Sequence, residues 1–139
     1  MRRPAARGAL ALLVLGALAG SATATHAPDH RFLLIGYVTD DQGRPLRDVP
    51  VVITRVKTGL DHRTQTERDG LYFVVVHLHD EDEGERLRMS ANGVTGEIRA
   101  RYDVRDKKVE RGTRVDFRAG KLVENRQAFA ETLRAYLSR

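Results

Sequence analysis

Beyond residue 30 the chain alternates short apolar stretches with clusters of turn-forming residues. From Arg31 to Thr39, Phe32, Leu33, Leu34, Ile35, Tyr37 and Val38 predict a first strand, which Asp40-Asp41-Gln42-Gly43-Arg44-Pro45 brings to an end. Val51, Val52, Ile53 and Val56 carry a second strand over 49–57, with Pro50 tolerated near its beginning. After Thr58-Gly59-Leu60-Asp61, the polar stretch 62–67 suits an exposed edge strand. The stretch 71–78 (Leu-Tyr-Phe-Val-Val-Val-His-Leu) is the most apolar of this region and is predicted as a central strand buried on both faces. Leu87, Met89 and Ala91 alternate with Arg86, Arg88 and Ser90, and Asn92-Gly93 follows directly. That pair accepts the positive φ angles of a two-residue hairpin, so 94–103 is the returning strand. Val115 and Phe117 mark a last strand over 113–118.

Only then does the period change. Phe129, Leu133, Tyr136 and Leu137 recur at i, i+4, i+7 and i+8, predicting an amphipathic helix within 119–139, with Asn125 able to cap its start. The helix is expected to lie as a lid across an apolar face of the strands. About seven strands at hairpin spacing followed by one helix predict an all-β fold, a Greek-key sandwich over 31–118 with a C-terminal helix over 119–139.

The N-terminal region is patterned differently. Arg2, Arg3 and Arg7 precede an apolar run from Gly8 to Gly20, and Ala22-Thr23-Ala24 follows. This order predicts a signal peptide over 1–24 and a flexible leader over 25–30, hence export to the periplasm or beyond the cell. The run is shorter than the roughly 20 apolar residues that a membrane span requires, so no stable span is expected after cleavage. The segment also changes the charge balance. The whole chain has 139 residues, 24 Lys and Arg against 19 Asp and Glu, and a net charge of +5. Three of the basic residues and no acidic residue lie within 1–24, which leaves 21 basic against 19 acidic. Arg99, Arg101, Arg105, Lys107, Lys108, Arg111 and Arg114 are interleaved with Asp103, Asp106, Glu110 and Asp116. A salt-bridged surface is expected there, and no nucleic-acid partner.

With no cysteine, a disulfide framework, a thiol nucleophile and a thiolate metal site are excluded. Neither Ser90 nor Ser138 lies in a G-x-S-x-G setting and no glycine-rich phosphate loop is present, so the chain is expected not to be an enzyme. The densest chemistry is His77-Leu78-His79 followed by Asp80-Glu81-Asp82-Glu83-Gly84-Glu85. Histidines two apart on a strand share a face, so His77 and His79, completed by Asp80, form a candidate site for Zn²⁺ or Cu²⁺. The alternative is a solvated acidic loop with both histidines on its wet side. His62 can join only if its strand lies beside 77–79. His26 and His30 offer a weaker copper arrangement near the processed N-terminus.

Gly36-Tyr37-Val38-Thr39-Asp40, Gly43-Arg44-Pro45-Leu46, Val49 and Val51, then Thr66, Asp69-Gly70 and Tyr72 resemble the carboxypeptidase regulatory-like domain, a prealbumin-like (transthyretin-like) β-sandwich. The resemblance spans about residues 34–100. It implies a non-catalytic exported binding or structural module that contacts a protein or saccharide. No H-x-x-E zinc-peptidase motif accompanies it, and the end of the chain, Leu133 to Arg139, lacks the tyrosine-arginine-glycine-serine tail of the related hydroxyisourate hydrolases. A metal-binding protein using His77, His79 and the acidic loop is the competing expectation.

Overall fold

A computed structural model describes residues 30–139; the expected signal peptide over 1–24, His26 and all of the expected leader except His30 lie outside the described residues. Strands β1 (Phe32–Tyr37), β2 (Pro50–Arg55), β3 (Asp61–Gln65), β4 (Leu71–Val76), β5 (Arg86–Ala91), β6 (Val94–Arg99), β7 (Gly112–Arg118) and β8 (Lys121–Asn125) precede helix α1 (Phe129–Leu137). They form two four-stranded sheets, ordered β4-β1-β7-β8 and β3-β2-β5-β6. The fold is therefore mostly β, two sheets and one α-helix, as the alternation predicted. Among the described residues no helix is long and apolar enough to cross a membrane.

The inner faces of the sheets meet in one core. Phe32 and Leu34 from β1, Tyr72, Val74 and Val76 from β4, and Val115 and Phe117 from β7 face Val51 and Ile53 from β2 and Leu87, Met89 and Ala91 from β5. A second, smaller cluster lies on the outer side of the first sheet, where Phe129 and Leu133 of α1 cover Leu33, Ile35 and Leu71. Burial of each large side chain there contributes about 1.5–3 kcal/mol. The helix is thus a lid on that sheet. Arg139 secures its end by donating to Glu67 (2.8 Å) and Asp69 (2.6 Å) in the β3–β4 turn.

Two predicted features are corrected. The stretch 71–78 is not a central strand: β4 is an edge strand, and β1 and β7 are central. It is apolar on both faces because Tyr72, Val74 and Val76 fill the core while Leu71 and Phe73 face the helix, where Phe73 stacks on Tyr136 at 4.9 Å between ring centroids. Nor is 119–139 helical throughout. Ala119 and Gly120 take φ of 50° and 69°, a two-residue turn that folds β8 back on β7, and α1 begins only at Phe129. Asn125 does assist the helix start, accepting the Ala128 N–H at 3.1 Å. The β5–β6 hairpin forms as predicted, with φ of 49° at Asn92 and 74° at Gly93.

Thr66 and Tyr72, singled out in the sequence, join separate parts of the sandwich. The Thr66 hydroxyl donates to the Leu46 carbonyl (2.6 Å) and accepts the Val49 N–H (2.9 Å). The fully buried Tyr72 hydroxyl donates to the Val115 carbonyl at 2.6 Å, and burial pushes its phenol well above the ordinary value near 10. A folded pKa above the unfolded one means this stability is complete below about pH 10 and is lost as pH rises further. Wild type should therefore exceed Tyr72→Phe by about 1 kcal/mol at pH 8, and urea unfolding should show that gap closing above pH 10. A gap that persists unchanged to pH 11.5 would contradict this role.

Candidate metal centre

Where β4 leaves the sheet, its alternation continues. Leu78 is buried in the core, whereas His77 is exposed and His79 half-buried on the opposite side. Their Nε2 atoms lie 3.0 Å apart, with ring centroids at 4.6 Å and planes at 85°. At that distance one neutral imidazole can donate its Nε2 proton to the other. Two imidazole nitrogens on one Zn²⁺, at bonds near 2.05 Å and 90–109°, stand about 2.9–3.4 Å apart. The separation observed is thus one that two nitrogens on a shared cation also take.

The backbone carrying the pair is held at three points. Arg55 Nη1 donates to the His77 carbonyl (3.2 Å), the Tyr102 hydroxyl donates to the His79 carbonyl (2.6 Å), and Asp82 Oδ2 accepts the His79 N–H (2.9 Å). Burial pushes the Tyr102 phenol up to about 12, partly offset by Arg111, whose guanidinium lies 4.5 Å from the ring centroid. The hydroxyl thus remains a donor throughout the neutral range.

The acidic stretch differs from both of its sequence readings. Asp80 is not presented to the histidines: Arg111 Nη2 binds Oδ1 at 2.9 Å and Lys107 binds Oδ2. Nor is the loop simply solvated. Asp82 and Glu85 point inward, their side chains 6% and 4% exposed, and Arg55 bridges them. Its Nε and Nη2 meet the two Glu85 oxygens at 2.9 and 2.7 Å, and Nη2 reaches Asp82 at 3.2 Å. Burial raises the Asp82 pKa, but the His79 N–H, Lys57 and Arg55 outweigh it and hold the carboxyl below its ordinary value. A single 3-10 turn at Asp80–Asp82 makes this possible, aiming Asp82 back under the strand end.

The remaining histidines divide. His62 sits opposite Ile53 in the β2–β3 ladder, on the core-facing side. It is near enough to His77 for their charges to interact, but its Nε2 is buried without a hydrogen-bond partner. His30 is exposed, and its ring lies 5.0 Å from that of His79 and 6.4 Å from that of His77. The expected grouping with His26 lies outside the described residues; the β1–β4 pairing, which sets Phe32 opposite Val76, runs the segment holding His30 beside His77 and His79. As they stand, no three or more His, Asp or Glu among the described residues are arranged to hold a metal ion.

Within the interleaved stretch Arg105 meets Asp103 (3.5 Å) and Arg114 meets Asp116 (2.9 Å), whereas Arg101 and Arg111 reach outside it to Glu83 (3.5 Å) and Asp80 (2.9 Å) of the acidic loop. An apolar trough of about 510 Å³ runs beside α1, between Val109 and Leu137.

No family model matches the chain, and no curated protein matches it. Solved structures with a similar fold include the dioxygenase domain of a dioxygenase and carbohydrate-binding protein fusion from Streptomyces sp. SirexAA-E, at 15% identity and a TM-score of 0.47. That similarity covers 68% of this chain and 82% of the other. The catechol 1,2-dioxygenase of Pseudomonas arvilla C-1 is 17% identical with a TM-score of 0.44, over 78% of this chain and 57% of that one. The 3-chlorocatechol 1,2-dioxygenase of Rhodococcus opacus 1CP is 13% identical with a TM-score of 0.46, over 73% and 62%. The chain thus spans less than two thirds of both catechol enzymes. The expectation that the chain is not an enzyme is not borne out by these neighbours, which are dioxygenases. Motifs close together in sequence are a poor basis for denying catalysis, because active sites are assembled by topology from distant residues. At these identities and TM-scores the likeness carries no activity over to this chain.

Proposed function

We propose that this chain is an exported metal-binding protein, a β-sandwich of the carboxypeptidase regulatory-like, prealbumin-like kind, in which His77 and His79 take Zn²⁺ or Cu²⁺. The observation that carries the reading is the 3.0 Å separation of the two Nε2 atoms on a backbone held by Arg55, Tyr102 and Asp82. Imidazole nitrogen suits both ions, and a chain without cysteine offers no thiolate to compete for them. The exposed side of the pair gives a cation access from solvent.

This reading is favoured over docking of a protein or saccharide because it specifies its atoms and their separation. Calorimetric titration of untagged protein with Zn²⁺ and Cu²⁺ should show one site of micromolar or tighter affinity, and His77→Ala/His79→Ala should lose it. Absence of binding, or binding unchanged in the double variant, would reject the proposal.

A further inference from the structure

His30 lies beside the same pair, its ring 5.0 Å from that of His79 and 6.4 Å from that of His77. In the antiparallel β1–β4 ladder the paired residues run from Tyr37 and Leu71 to Phe32 and Val76. The pairing ends at Phe32 and Val76, so the segment just before β1, which carries His30, runs beside the segment just after β4, which carries His77 and His79. The chain is held in this course just inside His30, where Arg31 forms a bidentate ion pair with Glu110, one arm of which is Nε to Oε2 at 3.0 Å.

Three imidazoles on one tetrahedral cation place their ring centroids about 5 Å from one another, given metal–nitrogen bonds near 2.05 Å. Here the separations are 4.6 Å for His77 and His79, 5.0 Å for His30 and His79, and 6.4 Å for His30 and His77. Two sides of the triangle already have the required length. The third closes only when the exposed His30 side chain, which precedes β1, moves toward His77.

We propose that His30 is the third ligand of a three-imidazole site whose fourth position stays open to water or an outside donor. This deepens the His77 and His79 reading and rests on it. The cation then joins the segment entering β1 to the segment leaving β4, so binding also fixes the entry of the chain into the sandwich. Three protein ligands and one open position distinguish sites that exchange ligands from closed structural ones.

The test is a competition titration of untagged protein with Zn²⁺ against a chromophoric chelator, using wild type, His30→Ala and His77→Ala, each also digested with trypsin, which cuts after Arg31. Wild type should bind, and both variants should bind at least about tenfold more weakly, since even outer supports of a ligand are worth that much. Zn²⁺ should slow cleavage after Arg31 severalfold in wild type and not in His30→Ala. If His77→Ala weakens binding while His30→Ala matches wild type in affinity and protection, the role of His30 is overturned and the two-histidine site stands. If wild type does not bind, both proposals fall.

Discussion

Replacing Arg55, at the end of β2, with methionine is expected to lower the unfolding free energy by about 3–5 kcal/mol. Arg55 is 12% exposed and faces two carboxylates exposed by 6% and 4%. Removing the guanidinium leaves Glu85 without its bidentate partner and Asp82 with the His79 N–H and the mostly exposed Lys57. A buried charge left in that way costs far more than the pair contributes while intact. Urea unfolding at pH 7 measures the loss, and Arg55→Met/Glu85→Met should recover much of it. A loss below about 1 kcal/mol would show that the network is hydrated and weak. Because Arg55 also donates to the His77 carbonyl, the same variant should weaken metal binding.

Gly36→Ala is expected to be more damaging still. A Cβ at that position would stand 1.8 Å from the Val115 carbonyl oxygen and 2.6 Å from its carbon, both backbone atoms of the neighbouring strand. β1 and β7 are the central strands of their sheet, so they cannot separate without opening the core and the helix cluster together. The expected loss exceeds about 4 kcal/mol, enough to leave little folded protein. Gly43→Ala is the control, since its Cβ would meet nothing within 4 Å and only its φ of +78° is strained, at about 1 kcal/mol. Thermal unfolding of the two variants side by side reads the difference. A Gly36→Ala protein melting within a few degrees of wild type would refute the close β1–β7 approach.

Gly36 also marks where sequence reading stops. The strand alternation, the Asn92-Gly93 turn and the helical period of the last residues were legible because each rests on local spacing. The neighbour that forces glycine at position 36 is 79 residues away, and no local pattern contains it. The Ala119-Gly120 turn was missed for a different reason: alanine at φ of 50° is an unusual choice, so β8 was absorbed into the helix. Apolar residues on both faces of 71–76 read as a central strand because a helix covering an edge strand produces the same pattern as a second neighbouring strand.

The candidate site divides along the same line. His77 and His79 were legible, since two residues of extended chain put both rings on one side. Asp80 was taken for their companion by adjacency, but the 3-10 turn carries it to Arg111 and Lys107. The residue that does approach, His30, comes from 47 positions earlier through the β1–β4 register. No spacing rule links the two segments until the strands are known to pair.

Extended X-ray absorption at the zinc edge, on untagged protein loaded with one equivalent of Zn²⁺, tests the histidine site most directly. The expected spectrum has nitrogen or oxygen neighbours at about 2.0–2.1 Å and the outer-shell scattering of two or three imidazole rings, reduced in His77→Ala/His79→Ala. A spectrum of oxygen neighbours without imidazole scattering, or one unchanged in the double variant, would contradict a metal centre built on His77 and His79.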